Sequence, residues 1–266
     1  MANYWSRNWG AKLATFRRTV ERLENWPTAL GMRLAQQNPR PRLLTFRDGL
    51  NVVCRGRTSD WDVVSELVVS GGYGLALEHL RKLPGQPLVL DLGGNIGVFS
   101  LLAARLHPGA ILHTYEPGPP NLRQCEINRL LNPSVAERIH LHREAVGGET
   151  RMTEFLYDEL SPQSSGMYAR QGRKFPVQIR SFAEVVAACD GPVALAKIDI
   201  EGAEFDILER TPAAVWRNVH AVSIEVHDDP RGQLTVPDFL KKLGALGFPH
   251  LRQEPVASAS YFLWRD

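Results

Sequence analysis

Residues 87–100 read Pro-Leu-Val-Leu-Asp-Leu-Gly-Gly-Asn-Ile-Gly-Val-Phe-Ser. Leu88, Val89, Leu90 and Leu92 form the short apolar run expected of a parallel strand buried on both faces. Gly93, Gly94 and Gly97 follow directly, and glycine lets a backbone turn tightly and approach a ligand with no Cβ in the way. Ile96, Val98, Phe99, Leu101, Leu102 and Leu106 then read as the start of a largely buried helix. Strand, glycine turn and helix make the first unit of a nucleotide-binding α/β fold. A glycine turn alone is a weak signal. It gains weight from an acidic residue about 20 residues on, at the end of the next strand. Glu116 stands there, after Ile111, Leu112 and Tyr115 and before the strand-stopping Pro117.

Working outward, the same reading predicts strands over 88–92, 111–115, 139–142, 193–198 and 221–226, and helices over 121–131, 182–188 and 237–246, with 205–208 inside another. Residues 152–157 and 175–180 read as extended segments around a polar, glycine-containing loop, 161–172, which is a candidate binding lid. Terminal antiparallel strands are expected within 256–264. Upstream, 42–47 and 51–55 flank Asp48-Gly49 as a hairpin. Helices follow over 61–69, capped near Ser59 or Asp60, and over 75–83. Trp5, Trp9, Leu13, Phe16, Val20 and Leu23 are spaced by threes and fours, so 4–26 reads as one amphipathic helix, with a further turn or two after Pro27. The expected organisation is a basic helical segment (1–42), an N-terminal hairpin and helices (43–86) and a Rossmann-like core (87–266).

The 266 residues are 44% hydrophobic and 23% charged, ordinary values for a globular chain. No apolar run reaches the roughly 18 residues that span a bilayer, and no secretory signal is expected. Cys54, Cys125 and Cys189 stand far apart with no paired spacing. That argues against a zinc site or disulfide framework and fits a cytoplasmic location. Residues 1–42 carry eight Lys/Arg against Glu21 and Glu24, leaving the remainder mildly acidic. A nucleic-acid partner is therefore not expected. The basic helix suits packing on the domain, a homo-oligomer contact, a wall of the substrate site or an anionic membrane surface.

In open α/β sheets ligands lie beyond the carboxyl ends of the strands. Asp91 to Asn95, Glu116, Glu144 to Val146, Asp199 to Gly202 and Glu225 to Asp228 should therefore meet. The two oxygens of Glu116 can accept from both hydroxyls of a ribose. The Gly-x-Gly-x-x-Gly spacing of dinucleotide sites is absent. An acid at position 91 before the glycines suits a ligand with an ammonium or sulfonium group, and S-adenosylmethionine is such a ligand.

Four stretches are similar to the FkbM-type family of S-adenosylmethionine-dependent methyltransferases. They are Asp91-Leu-Gly-Gly-Asn-Ile-Gly-Val-Phe-Ser100, Tyr115-Glu-Pro-Gly-Pro-Pro-Asn121, Glu144-Ala-Val-Gly147 and Lys197-Ile-Asp-Ile-Glu-Gly-Ala-Glu204. The last is the most family-specific, and Thr58-Ser-Asp60 with Tyr73 resembles the family's entry region. The resemblance runs from about Phe46 onward. It implies a class I methyltransferase fold: a mostly parallel seven-stranded sheet with helices on both faces. It further implies cofactor contacts at Asp91, Gly93, Asn95, Glu116, Glu144 and Ala145, to which Gly94, Pro117, Asp199 and Tyr73 are added as candidates. The implied reaction is methyl transfer, most often to a hydroxyl of a small natural product or sugar. N-methylation and a non-catalytic adenosyl-ligand-binding protein are the alternatives.

Asp199, at the end of strand 193–198, either binds or deprotonates the acceptor or braces the turn with Lys197. Glu201 is a catalytic candidate whose structural alternative is hydrogen bonding to backbone donors in the turn. His227 is the other candidate base, because histidine titrates near neutrality. Carboxylates and imidazole suit Mg, Mn or Zn, so Asp199, Glu201, Glu225 and His227 are a chemically possible metal set, but no metal is expected. His107, His113, His140, His142 and His250 read as bystanders.

Overall fold

In the computed structural model, which describes residues 9–34, 38–158, 172–229, 231–255 and 259–265, strands β3 (Leu88–Leu92) and β9 (Val193–Ile198) run side by side and parallel. β4 (Ile111–Tyr115) and β5 (Ile139–His142) continue the sheet beyond β3, and β10 (Ala221–Glu225) continues it beyond β9. All five are parallel. β12 (Ser260–Trp264) then adds antiparallel to β10, and β11 (His250–Gln253) antiparallel to β12, giving the order β11-β12-β10-β9-β3-β4-β5. The chain builds outward from β3 in one direction, then returns to build outward through β9 in the other. A crevice opens where strand order reverses in this way, so the topology places it at the carboxyl ends of β3 and β9.

Both faces of the sheet are buried, as the continuous apolar strands require. Val89 and Leu112 join an apolar cluster with Phe46, Leu67 and Phe99 on one face. Leu90 and Leu92 join Phe182, Trp216 and Phe239 on the other. Leu23, Leu44, Leu50 and Val52 belong to the first cluster, so the N-terminal elements share the core of the sheet. The hairpin is β1 (Arg42–Thr45) paired with β2 (Asn51–Cys54). A separate three-stranded sheet pairs β6 (Ala145–Gly147) parallel, and β7 (Arg151–Tyr157) antiparallel, to β8 (Arg173–Ser181). Residues 145–147, expected as a strand-end loop, are thus a short strand.

The single helix expected over 4–26 is two. α1 (Trp9–Arg22) stops at Leu23, which leaves the helix to bridge Phe46. Asn25 fixes the break: its side chain donates to the Leu43 carbonyl and accepts from the Thr45 N–H. Pro27 then sits in the first turn of α2 (Trp26–Leu34), where proline lacks no hydrogen bond. The apolar stripe of α1 is only partly covered, with Leu13 68% and Phe16 41% exposed. Residue 5, the start of that stripe, lies outside the described residues. The helix expected over 61–69 begins as α3 (Asp60–Val64) and widens into a π-helical turn, Ser65–Ser70. Ser59 makes no capping bond; Asp60 instead receives the Arg55 guanidinium. β11 had no counterpart in the sequence reading, and 256–258 lie outside the described residues. No helix among the described residues is long and apolar enough to cross a membrane.

Candidate active site

The crevice is lined by Gly93, Gly94, Asn95, Glu116, Pro117, Glu144, Ala145, Asp199, Glu201, Glu225 and His227 from the strand ends, and by Asp62, Glu66 and Tyr73 from the N-terminal elements. Its geometry follows from the glycine turn. Gly93 has a left-handed backbone, and an added Cβ would fall on the Asp199 carbonyl oxygen, so β3 and β9 can approach at their ends only through glycine. The turn closes on itself. Gly93 and Gly94 both donate to the Tyr115 carbonyl, at 3.0 and 2.9 Å, and Gly97 donates to Gly94 at 2.8 Å. The Asn95 N–H donates to Glu116 Oε2 at 2.9 Å. These four N–H groups therefore have internal partners, and none of them is left to cradle a phosphate.

Glu116 is buried at 4% exposure and is gripped twice, since the Gly118 N–H donates to Oε1 at 2.7 Å. Each oxygen keeps a further lone pair for a ligand hydroxyl. Burial pushes the carboxyl up to about 7, against the lowering effect of the two backbone donors and of Lys197 and Arg55. Beyond it, Pro117, Ala145, Val146 and Phe155 make an apolar wall. Arg55 anchors this end: it donates to Asp60, to the Tyr157 hydroxyl at 2.8 Å and to Asn121 Oδ1 at 2.8 Å.

At the other end stands Lys197, 3% exposed, which donates to the Gly93 carbonyl at 2.7 Å and lies 3.3 Å from Asp199 Oδ2 and 3.5 Å from Asp91 Oδ1. Burial would lower its pKa, but Asp199 and Asp91 hold it above the usual lysine value. Tyr73 donates its hydroxyl to Asp199 Oδ2 at 2.9 Å. Burial would raise Asp199; Lys197, His227 and the Tyr73 bond outweigh it and hold the carboxyl low. Burial pushes Glu201 and Glu225 each up to about 7, with the charge of Asp199 adding to both. Burial also raises Glu66, again helped by Asp199.

His227 follows β10, and its Nδ1 is 3.1 Å from Glu204 Oε1. Glu204 is 1% exposed and opens α9 (Glu204–Arg210), where it accepts from the Ile200 and Gly202 N–H groups, both at 2.9 Å. Burial would lower the imidazole, but the Glu204 bond and the charges of Glu204, Asp199 and Glu201 push it up to about 10. The ring therefore holds its proton at neutral pH, against the expectation of a general base.

The structure brings together every expected site residue except one. Asp91 does not line the crevice: it is fully buried beneath the turn, where Ser100 Oγ donates to Oδ2 at 2.6 Å and Lys197 faces Oδ1. An acid at the end of a buried strand can point under the turn as readily as over it, and here Lys197 and Ser100 draw it under. The backbone-bonded acid of the second turn is Glu204, not Glu201; Glu201 has a left-handed backbone (φ 55°) and lines the cleft. Trp61 packs against the core. The candidate lid lies mostly outside the described residues. Asp62 and Glu66 were missed, although their four-residue spacing puts them on one helical face. His113, His140 and His142 do gather, stacking on one another outside the cleft.

A mostly parallel seven-stranded sheet with this reversal and this crevice is the fold of a class I methyltransferase. Two solved structures share it. The methyltransferase FkbM of Methylobacillus flagellatus KT aligns at TM-score 0.50 and 15% identity over 97% of this chain and 61% of its own. A SAM-dependent methyltransferase of Agrobacterium tumefaciens aligns at TM-score 0.50 and 12% identity over 85% of this chain and 70% of its own. The methyltransferase FkbM domain model matches residues 91–249, so the chain belongs to the FkbM methyltransferase family. Among curated relatives, the 31-O-demethyl-FK506 methyltransferase FkbM of Streptomyces tacrolimicus is 27% identical over 184 residues, 57% of this chain and 70% of the relative. Methyltransferase 1 of Beauveria bassiana is 22% identical over 187 residues, 62% of this chain and 74% of the relative.

Proposed function

We propose that this methyltransferase uses S-adenosylmethionine and methylates a hydroxyl oxygen of a small molecule, a natural product or a sugar. The observation that carries the cofactor is the glycine turn together with Glu116. A turn whose N–H groups at 93, 94, 95 and 97 are already bonded suits a nucleoside without phosphates. Glu116 offers a carboxylate to a ribose, and the apolar wall at Pro117, Ala145, Val146 and Phe155 suits an adenine face. Seven carboxylates line the cleft against Lys197 and His227, an imbalance that favours a cationic ligand. When bound, S-adenosylmethionine supplies an electrophilic methyl on a positively charged sulfur.

The residues of this chain then do three things. Glu116 and the Glu144–Ala145 segment orient the nucleoside. Lys197, braced by Asp91 and the Gly93 carbonyl, fixes the turn and Asp199. Asp199 and Glu201 face the acceptor and align its oxygen. Alignment of an in-line displacement is itself worth several powers of ten, and the hydroxyl's proton passes to Asp199, held as a carboxylate, so no base is needed from the protonated His227. The S. tacrolimicus relative is named for a 31-O-demethyl substrate, which supports oxygen as the acceptor atom. The excess of carboxylates favours the second reading, N-methylation of an amine, which the carboxylates attract as its ammonium and which reacts as the neutral amine after giving up that proton to one of them.

The test is transfer from methyl-labelled S-adenosylmethionine to a panel of polyols, sugars and amines, with the product bond assigned by mass spectrometry. Label on oxygen is expected, and Asp199→Asn should slow turnover while S-adenosylhomocysteine still binds. Label recovered only on nitrogen overturns the oxygen assignment.

A further inference from the structure

The strand ends hold a constellation that nucleoside binding does not use. Asp199 follows β9, Glu201 lies two residues on, and His227 follows β10. One ligand atom from each lies within 4.8 Å of the others, and among the described residues this is the one such group. His227 Nε2 is 3.6 Å from Glu201 Oε2 and 4.0 Å from Asp199 Oδ1. Around an octahedral ion with bonds of about 2.1 Å, adjacent donors sit about 3.0 Å apart and opposite donors about 4.2 Å. These two separations fall between those values, so small side-chain rotations close the three atoms on one centre.

Two of the donors are oriented from behind. His227 Nδ1 is held by Glu204, whose side chain is fully buried and is itself fixed by two backbone N–H groups. A carboxylate on the far nitrogen of a ligating histidine sets its tautomer and direction. Asp199 Oδ2 is occupied by Tyr73 and Lys197, so Oδ1 is the oxygen turned toward His227. The three side chains are 25 to 32% exposed within the cleft, which leaves room for further ligands on the open side. Glu66 and Glu225 add negative charge to the same end of the cleft.

We propose that Asp199, Glu201 and His227 bind a divalent metal ion at the acceptor end of the cleft. Two carboxylates and one imidazole match Mn²⁺ or Mg²⁺ better than a thiolate-seeking metal. Binding displaces the proton on Nε2. The open positions face the place where a hydroxylated acceptor would lie. That last assignment rests on the methyl-transfer reading, whereas the ion site stands on the three side chains alone.

The experiment titrates Mn²⁺ into the full chain, with S-adenosylhomocysteine present, and follows the free-ion electron paramagnetic resonance signal. One Mn²⁺ per chain is expected, displaceable by Mg²⁺, and pulsed spectra should show coupling to an imidazole nitrogen. His227→Gln should remove that coupling. Glu201→Gln, at a position 32% exposed, should weaken Mn²⁺ by at least the roughly 10- to 100-fold that loss of an outer-shell partner costs. Glu201→Gln should keep the melting temperature of the parent, His227→Gln should melt lower because buried Glu204 loses its partner, and both should keep the S-adenosylhomocysteine affinity. Undiminished free-ion signal at millimolar Mn²⁺ overturns the proposal, as does binding that Glu201→Gln leaves unchanged. Either result with S-adenosylhomocysteine still bound leaves the methyl-transfer reading intact. Failure of S-adenosylhomocysteine to bind counts against that reading, and Mn²⁺ binding in its absence still supports the ion site.

Discussion

Replacing Glu116 by glutamine changes one atom and removes the group on which nucleoside recognition depends. Glu116 presents two acceptor oxygens, one taking the Asn95 N–H at 2.9 Å and the other the Gly118 N–H at 2.7 Å. Glutamine has a single acceptor oxygen, and its amide nitrogen can only donate. Whichever way the amide turns, its NH₂ meets one of the two backbone donors. The orphaned N–H costs about 1–3 kcal/mol of stability, a fall in melting temperature of roughly 2–6 °C for a chain of this size. The ribose loses more. Two hydroxyls that would donate to a carboxylate, in bonds worth about 1.5–3 kcal/mol each, meet at best one neutral acceptor. A net loss of about 2–4 kcal/mol corresponds to roughly 30- to 700-fold in dissociation constant. Calorimetric titration with S-adenosylhomocysteine reads the affinity, and a thermal melt reads the fold. An affinity within about threefold of the parent in a cooperatively folded variant would remove Glu116 from the site and refute the reasoning.

Three further outcomes are expected. Because burial lifts the Glu116 carboxyl from its ordinary 4.5 to about 7, the folded protein favours the protonated acid. The stability linked to this group is complete below the ordinary value and is lost as pH rises through about 7. Cofactor affinity runs the other way: it should fall up to tenfold per pH unit below about 7 and level off above it. A flat profile between about pH 5.5 and 8, or one unchanged in Glu116→Gln, contradicts this. Arg55→Met removes the partner of Asp60, which is 1% exposed, and should cost about 3–5 kcal/mol. A melting temperature within about 2 °C of the parent would show that this pair does not hold the entry region.

The parts of this protein legible from sequence are those set by local periodicity and topology. A strand buried on both faces must be continuously apolar, and a turn that brings two strand ends together must be glycine at its contact point, so residues 88–97 announced themselves. The rule that ligands sit at strand ends predicts that Glu116, Asp199, Glu201 and His227 meet, and they line one crevice. Long-range contact decided the rest. Leu23 leaves its helix to pair with Phe46, twenty-three residues on, and no helical spacing records that. Asp91 turns under its loop because Lys197, from a strand more than a hundred residues later, waits there. Glu204 stands in the sequence only as the end of the stretch 197–204; the fold reveals that it is buried and grips His227, giving that ring a proton where a base was expected.

The glycine turn and Glu116 are proposed to form a cradle for an adenosyl ligand without phosphates. Calorimetric titration of the full chain with S-adenosylhomocysteine, and in parallel with NAD, tests this most directly. One S-adenosylhomocysteine per chain, with no heat from NAD, is the predicted result. Saturable binding of NAD with none of S-adenosylhomocysteine would contradict it.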